Sequence, residues 1–529
     1  MAGCDAVVVG AGHNGLVAAN LLVDAGWSVV VLEEQDEPGG AVRTAALTAP
    51  GFANDVCSSF YPFVAGPSPI RSLRLEQFGL QWSHAPTVLT HLTPEGIGAT
   101  LSTDPPATEA SVRRFAAGDA ARWRDAYRDW LQVEQGVLTS LFTPFPPVRP
   151  VIGLVRRAGV AGVMRLARRL LLPAVRSGRE LFDGQGARLL IDGLALHADV
   201  ALSAGGSGGY GLLLAMLGQH YGFPVPRGGA GALTAALTRR LRQRGGELLC
   251  RASVTHIDVL GGTARGVHTA DGRVFLARRA VLANVDAARL YRRLLAPSVL
   301  PDRILADLLA FDHGPSTVKV DWALSTPVPW RDPQASGSGT VHIGSAGGML
   351  RYSAALAAGE MPERPFLICG QMTTADPTRS PAGTESFWAY THLPHRMDWS
   401  ANQVAEVVAR MEEVIEATAP GFADRVLARH IAGPAQLQEE NANLVAGALA
   451  GGTNAMHQQL FLRPVPGLGR ADTPIDRLYL ASASAHPGGG VHGGPGANAA
   501  RAALVRDRVA TGLLYRRAVA YAQRRIYPS

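Results

Sequence analysis

The chain has 529 residues, a length that favours two or three compact units and excludes a single small module. Hydrophobic residues make up 47% and charged residues 18%, which is typical of a folded chain and excludes a disordered one. The formal net charge is +7, but Lys319 is the only lysine, and the arginines are scattered from Arg43 to Arg525 without a basic, aromatic-interleaved strip. We therefore expect no nucleic-acid partner.

Four cysteines lie far apart, at Cys4, Cys57, Cys250 and Cys369. Their spacing argues against a disulfide framework, a zinc site or a redox dithiol, and it fits a reducing cytoplasm. The beginning of the sequence lacks the charged and apolar regions of a signal peptide, and no uncharged run reaches the ~18 residues of a spanning helix. We therefore expect a cytoplasmic protein with no bound metal.

The first forty residues predict a β-α-β unit, with a strand over 6–9, a helix over 16–25 and a second buried strand over 27–32. Helical patterns then dominate from about 111 to 217. Further strands are predicted at 247–250, 253–259, 264–269, 274–282, 317–322, 366–371, 386–392 and 477–481. A last helix is expected from about Ala497.

The loop between the first strand and helix has the sequence GAGHNG at 10–15. Gly10 allows the tight turn, Gly12 lets the backbone approach a pyrophosphate, and Gly15 lets the helix pack closely on the strand. Glu33 follows the second strand, where a carboxylate accepts hydrogen bonds from ribose hydroxyls and repels a 2′-phosphate. This unit therefore predicts a site for either NAD or FAD.

Two further glycine motifs favour FAD. Gly39 and Gly40, followed by Ala41, suit a second close approach to the diphosphate, as in FAD proteins of the glutathione-reductase type; the alternative is an ordinary turn at Pro38-Gly39. Near the other end, a strand leads through a glycine loop at 486–496 into a helix of small residues. Its backbone N–H groups suit the pyrimidine edge of a flavin.

These motifs, with the run Pro226-Arg227-Gly228-Gly229 and the His-Pro-Gly-x-Gly that begins at His486, resemble the phytoene dehydrogenase-related flavoproteins, in particular the branch with the desaturase-like carotenoid ketolases. The similarity covers nearly the whole chain and is weakest at 99–187 and 330–361. It implies an α/β fold, that of a two-dinucleotide-binding-domain flavoprotein with a Rossmann-like FAD domain and an α+β substrate domain. The FAD domain would comprise 1–75, 225–290 and 470–529, and the substrate domain 76–224 and 291–469, with a helical, membrane-facing candidate region at 110–220.

By position, the resemblance implies that Val254 contacts the adenine through its backbone and that Ala283 and Asn284 line the cleft. It also implies that four residues lie along the ribityl chain and the isoalloxazine ring: Ala483, Gly490, Val491 and His492. Flavin oxidases related to this family often have an acid at the position of Ala483. The full predicted FAD set is Gly10, Gly12, His13, Asn14, Gly15, Glu33, Glu34, Gly39, Gly40, Ala41, Val254, Ala283, Asn284, Ala483, Gly490, Val491 and His492.

A second nucleotide domain is not expected. The glycines at 228–231 follow no suitable strand and have no acid at ribose distance, so a connecting loop is favoured over a pyridine-nucleotide site. Oxidation of the substrate, with oxygen or a quinone as the electron acceptor, is therefore favoured over its reduction.

The candidate catalytic residues are Tyr390, His392 and His492. Tyr390 and His392 share one face of a predicted strand with Trp388. That face is either the roof of a substrate cavity or part of a core in which the Tyr and His tips find backbone partners. His492 lies in the flavin loop, and an imidazole titrates near neutral pH. Hydride transfer to a flavin requires neither histidine.

Residues 155–172 read as a basic amphipathic helix. Arg157, Arg165, Arg168 and Arg169 gather on one side, and the apolar side chains gather on the other. This pattern indicates either peripheral docking on the inner face of a membrane or a lid helix of a soluble domain.

We expect an FAD-dependent dehydrogenase, desaturase or oxidase that acts on a lipophilic small molecule such as a carotenoid, another polyene or a natural-product intermediate. The alternatives are a redox-neutral isomerase or cyclase and a non-catalytic, flavin-bearing interaction protein. A long apolar tunnel beside 155–172 would favour a polyene, whereas a short polar pocket around Tyr390 and His392 would favour an amine or hydroxyl substrate.

Overall fold

The computed structural model describes residues 3–509 and 511–527. Its first sheet has seven strands. In spatial order they are Val254–Leu260, Thr263–Thr269, Val274–Ala283, Cys4–Val9, Val29–Leu32 and Glu247–Leu249, with Leu478–Leu480 also paired to Val274–Ala283. The last four of the six, and Leu478–Leu480, are joined by parallel pairing. These strands come from the three segments predicted for the FAD domain.

The predicted β-α-β unit is present at the centre of this sheet. Its helix, His13–Asp24, begins directly after Gly12, three residues earlier than expected. All six residues of the strand Cys4–Val9 are buried, as expected for a parallel strand covered on both faces. The helix Gly494–Asp507 packs so closely on the first helix that a Cβ at Gly496 would lie 1.9 Å from the Asn14 carbonyl oxygen.

The second sheet also has seven strands and is largely antiparallel. In spatial order they are Val426–Ala432, Ser316–Leu324, Glu385–Leu393, Leu367–Gln371, Ser338–Ile343, Thr87–Leu92 and Gly98–Leu101. Sequence reasoning found the strands at 316–324, 367–371 and 385–393 and missed the other four. Polar residues occupy buried positions in two of the missed strands, as at His91 and His342, which hides the apolar pattern of a strand.

The helices of eight or more residues surround the two sheets. Their bounds are His13–Asp24, Pro105–Arg113, Asp119–Leu141, Val148–Leu171, Ala174–Leu181, Gln185–His197, Ser207–Tyr221, Gly231–Gln243, Ala346–Ala357, Ala401–Thr418, Gly494–Asp507 and Gly512–Ile526. Among the described residues, none of these helices is long and apolar enough to cross a bilayer.

The prediction of one continuous amphipathic helix at 155–172 is wrong in one respect. The helix Val148–Leu171 is interrupted at Gly159, whose φ of +69° and ψ of +166° are not helical. The two halves therefore do not form one continuous helix with a single basic face and a single apolar face. Arg168 and Arg169 are also not free, since they pair with Glu180 and Asp129. The side chains Val163, Leu166 and Leu170 are partly buried, while Val160 and Met164 are exposed.

A cluster of three histidines is buried between the second sheet and the helix Gln185–His197. The ring nitrogens of His197 Nδ1 and His342 Nε2 lie 3.3 Å apart, and the His91 ring stands edge-on to that of His342. Burial lowers the pKa of His91 and of His197 to about 4, and it lowers the pKa of His342 well below its usual range. The three rings are therefore neutral in the folded protein at pH 5.

We expect this cluster to make the protein acid-sensitive. Between pH 6.5 and 5 these histidines become protonated in the unfolded chain but stay neutral in the folded protein. The free energy of unfolding therefore falls as the pH falls, by about 2 kcal/mol per histidine at pH 5. The drop in Tm between pH 7 and pH 5 should be smaller in His342→Asn than in the wild type. His457→Asn, at an exposed position, is the control and should leave the drop unchanged; equal drops in all three proteins would contradict the account.

Candidate functional site

A cavity opens at the carboxyl ends of the parallel strands Cys4–Val9, Val29–Leu32 and Val274–Ala283. Ligands of open α/β sheets bind at this edge, where the strand order reverses. One end of the cavity is lined by Glu33 and Glu34. The other end is lined by Leu449, Gly451, Ser482, Ala483 and Ser484.

The glycine loop forms a backbone cradle at the middle of this cavity. Gly10 has φ +91°, and a Cβ there would lie 2.7 Å from the Asn284 carbonyl oxygen. A Cβ at Gly15 would lie 2.1 Å from the Gly10 carbonyl oxygen. The N–H of Gly39 donates to the Ala11 carbonyl at 3.0 Å, which places the paired glycines beside the first loop. Both predicted glycine motifs thus meet at one place.

Glu33 lies at the end predicted for the adenosine. Its two carboxylate oxygens accept from the backbone N–H groups of Ala11 (2.7 Å) and Gln35 (3.1 Å), and burial raises its pKa. Glu34 pairs with Arg289, and Val254 lines the same end. This end therefore combines a fixed carboxylate with a backbone wall.

Two buried polar atoms in the cavity wall have no partner within the described structure, His13 Nε2 and Asn14 Oδ1. A buried polar atom without a hydrogen bond is costly, so both sites suit a polar ligand such as a diphosphate or a ribityl chain. Gly12, Gly40, Ala41 and Asn284 also line the cavity. The donor set and the cradle fit FAD.

Ala283 and Val491 are placed differently from the prediction. Ala283 is fully buried in the first sheet and accepts a hydrogen bond from the Ala481 N–H, so Asn284 lines the cavity and Ala283 lies beneath it. Val491 packs against the apolar core under the first sheet. Sequence position alone could not distinguish a lining residue from its covered neighbour.

His492 lies in the C-terminal glycine loop with both ring nitrogens engaged inside that loop. Nδ1 accepts from the Gly494 N–H at 2.9 Å, and Nε2 lies 3.1 Å from the Gly489 carbonyl oxygen. Burial, together with nearby His13, lowers its pKa to about 3. The structure thus gives His492 the role of fixing the loop rather than the predicted role in proton transfer.

Arg463, which sequence reasoning missed, is a fully buried cation behind the other end of the cavity. Its guanidinium donates only to backbone carbonyls: those of Ala450, Gly451, Gly452, Thr453 and Ala483, at 2.7–3.1 Å. Burial lowers its pKa to about 10, so it stays charged at neutral pH. Gly451 and Ala483 line the cavity, so this positive charge lies one peptide group behind the wall.

The aromatic face of the strand Glu385–Leu393 meets the cavity at Leu449. Leu449 and Phe60 pack against the cluster that contains Trp388 and Tyr390, whose rings stack at 5.9 Å. Leu449 also lines the cofactor cavity. This end of the cavity therefore faces the second sheet, and it is where a flavin ring would meet a substrate.

One acid–base pair lies on this face. The Asp199 carboxylate is 2.7 Å from His392 Nε2, and His392 Nδ1 is 3.2 Å from the Thr317 hydroxyl. Asp199 has φ +60°, a strained conformation for a non-glycine residue. Asp199 follows the helix Gln185–His197, and no local sequence signal marks it as a partner of His392.

The only lysine of the chain lies near the same face. Lys319 is buried, donates to the Asp55 carbonyl at 3.0 Å, pairs with Asp321 and lies 5.9 Å over the Trp388 ring. Sequence reasoning noted its rarity and gave it no role.

Backbone N–H groups of the loop at 228–231 donate hydrogen bonds to side chains of the protein. The N–H of Gly228 donates to Asp376, that of Ala230 to Asp55, and that of Gly231 to the Thr44 hydroxyl, at 2.7–2.9 Å. These amides are not free to bind a phosphate, in agreement with the prediction of a connecting loop.

We expect Glu33→Ala to weaken FAD binding. Loss of hydrogen bonds to a charged acceptor costs about 1.5–3 kcal/mol, which is roughly a 10- to 150-fold rise in the Kd for FAD. Glu37→Ala, an exposed change in the same loop, is the control and should bind like the wild type. Titration of FAD into the deflavinated proteins gives the constants, and equal constants for all three would contradict a ribose contact at Glu33.

We expect Arg463 to favour the reduced, anionic flavin through its charge. Arg463→Met should lower the affinity of the bound flavin for sulfite at least about tenfold, and the two-electron potential by about 30 mV or more. Arg463→Lys keeps the charge with fewer hydrogen bonds, so it should keep the potential and lose stability. An unchanged potential in a flavin-loaded Arg463→Met protein would contradict the electrostatic role.

Comparisons with known proteins agree with this site. Residues 8–69 match the family model of the NAD(P)-binding Rossmann-like domain, and residues 163–504 match that of the flavin containing amine oxidoreductases. The mouse pyridine nucleotide-disulfide oxidoreductase domain-containing protein 2 is 26% identical, with 94% of this chain and 92% of that protein aligned. The neurosporene-forming phytoene desaturase of Cereibacter sphaeroides is 25% identical, over 95% of this chain and 94% of the desaturase.

Among solved structures, an oxidoreductase from Methanosarcina mazei has the same fold, with a TM-score of 0.60, 16% identity, and coverage of 94% of this chain and 99% of that one. The predicted fold class, the FAD cofactor and the resemblance to phytoene dehydrogenases are confirmed. The chain belongs to the flavin containing amine oxidoreductase family and is an FAD-dependent oxidoreductase related to the phytoene desaturases.

Proposed function

We propose that this oxidoreductase removes hydride from a C–H bond of a largely apolar substrate, as a dehydrogenase, desaturase or oxidase. The observation that carries the proposal is the composition of the wall where the cofactor cavity meets the second sheet. Phe60, Trp388, Tyr390 and Leu449 supply aromatic and aliphatic surface there, and the Asp199–His392 pair supplies one proton acceptor. Such a wall binds apolar substrate through burial and leaves one polar group for chemistry.

The relationship to the phytoene desaturases supports an apolar substrate. It does not set the length of the substrate, and the shape of the surface clefts bears on that length. The clefts beside the helix Val148–Leu171 are lined by polar side chains such as Arg165, Glu180, Gln132 and Gln135. The proposal therefore rests on the wall at the second sheet and not on a long apolar tunnel.

In the proposed reaction, bound FAD would supply the acceptor for a hydride from the substrate carbon. The proton lost from the neighbouring atom passes to the Asp199–His392 pair, and a double bond forms between the two atoms. Asp199 orients the His392 ring, and Thr317 holds its other nitrogen. Tyr390 packs edge-on against His392 and closes this wall. Dioxygen or a quinone is the proposed electron acceptor.

We expect Asp199→Asn to slow anaerobic flavin reduction about 100-fold or more without loss of FAD, because general-base catalysis contributes roughly 10²- to 10⁴-fold. Asparagine tolerates the left-handed backbone, so the change is conservative. Asp192→Asn, on the preceding helix and also buried, is the matched control and should reduce at the wild-type rate.

The measurement is the bleaching of the flavin absorbance after mixing with phytoene in micelles or with a long-chain primary amine such as dodecylamine. Bleaching with a dehydrogenated product supports the proposal. Product without lasting bleaching would indicate the redox-neutral route, and equal rates in Asp199→Asn and the wild type would remove the base from the mechanism.

A further inference from the structure

Two surface helices carry positive charge without any negative charge. The helices Val148–Leu171 and Gly512–Ile526 contain ten arginines together and no aspartate or glutamate. Some of these arginines pair with carboxylates of other elements, as Arg168 does with Glu180. Seven are exposed and form no ion pair among the described residues: Arg149, Arg156, Arg157, Arg165, Arg517, Arg524 and Arg525.

Exposed apolar side chains lie among these arginines. Val148, Val151 and Ile152 share one face of the first half of the helix Val148–Leu171, because they stand three and four residues apart. Three more exposed apolar side chains lie elsewhere in the sequence. Leu460 and Phe461 precede the first-sheet strand Leu478–Leu480, and Ile526 ends the helix Gly512–Ile526. We call the set Val148, Val151, Ile152, Leu460, Phe461 and Ile526 the apolar patch; its side chains are between 37% and 57% exposed.

Contacts beneath the patch connect its three parts. The ring of Phe145, which precedes the helix Val148–Leu171, lies 5.4 Å from the ring of Phe461. The Gly467 N–H donates to the Phe461 carbonyl at 2.7 Å, and Ile526 packs on Gly467, where a Cβ would meet it at 2.7 Å. Phe461 therefore lies between the start of the helix Val148–Leu171 and the end of the helix Gly512–Ile526.

We propose that the apolar patch and its flanking arginines bind the surface of an anionic lipid bilayer. Exposed Val, Ile and Phe side chains gain burial in the acyl boundary, while arginines gain from anionic headgroups. A second copy of the chain is disfavoured, because apposed patches would bring the seven unpaired arginines of one copy against those of the other. The exposed apolar side chains likewise favour a bilayer over a nucleic acid, which offers phosphates but no apolar phase.

The experiment is flotation of the FAD-loaded protein with vesicles of phosphatidylcholine alone or with 30% phosphatidylglycerol. The wild type should float with the anionic vesicles, less so in 0.5 M salt, and remain unbound with phosphatidylcholine alone. Arg156→Glu/Arg157→Glu should lower the partition constant at least about tenfold. Val151→Ser/Ile152→Ser should also lower it, because the apolar contribution is removed.

Matched controls separate the patch from the total charge and hydrophobicity. Arg227→Glu/Arg351→Glu makes the same change in net charge at exposed arginines elsewhere, and Leu260→Ser/Leu427→Ser removes two exposed leucines elsewhere. Both should float like the wild type. The flavin absorbance of every variant checks folding, and no turnover is needed, so the outcome is independent of the proposed reaction.

Three results would overturn the proposal. The first is a wild type that stays unbound with anionic vesicles. The second is equal loss of binding in the patch variants and in the matched controls. The third is a wild-type dimer that Val151→Ser/Ile152→Ser converts to monomer while vesicle binding is absent, which would identify the patch as an interface between copies.

Discussion

Close contact between backbones at the carboxyl edge of the first sheet is the constraint on which the rest of the structure depends. Gly15 meets Gly10, Gly10 meets Asn284, and Gly496 meets Asn14, each at a distance that leaves no room for a Cβ. These residues come from the beginning, middle and end of the chain. The cofactor cavity therefore forms only when all three regions have folded together, and a methyl group at any of these glycines would open the cradle.

The buried polar groups around the cavity follow one electrostatic rule. Histidines that are buried without a carboxylate stay neutral, as His13 and His492 do, with pKa values lowered to about 4 and about 3. Arg463 remains protonated, and five backbone carbonyls accept hydrogen bonds from its buried guanidinium. The same arrangement holds the loop at 450–453 against Ala483, so one side chain both shapes the wall and charges it.

The features predicted from sequence are those whose cause is local. The turn at Gly10, the close backbone approach at Gly12 and the carboxylate at Glu33 each depend on a few consecutive residues and their spacing. Arg463 and Asp199 acquire their roles from residues outside their own elements: Arg463 from carbonyls 10–20 residues away, and Asp199 from the distant His392. No sequence pattern near either residue indicates these partners. The interruption of the helix at Gly159 was missed because a helical wheel assumes continuity, and a lone glycine is only a weak signal against it.

The segment between the helices Asp119–Leu141 and Val148–Leu171 links the surface to the cofactor site. Its Phe142 ring lies 5.1 Å from that of His492, and the Thr143 carbonyl is 3.2 Å from His486 Nε2. Phe145, in the same segment, packs against Phe461 of the apolar patch. The same short segment therefore contacts both the C-terminal glycine loop and Phe461 of the apolar patch. Both ring nitrogens of His492 bond to the backbone of that loop, so Phe142 packs against a side chain that is fixed on the loop.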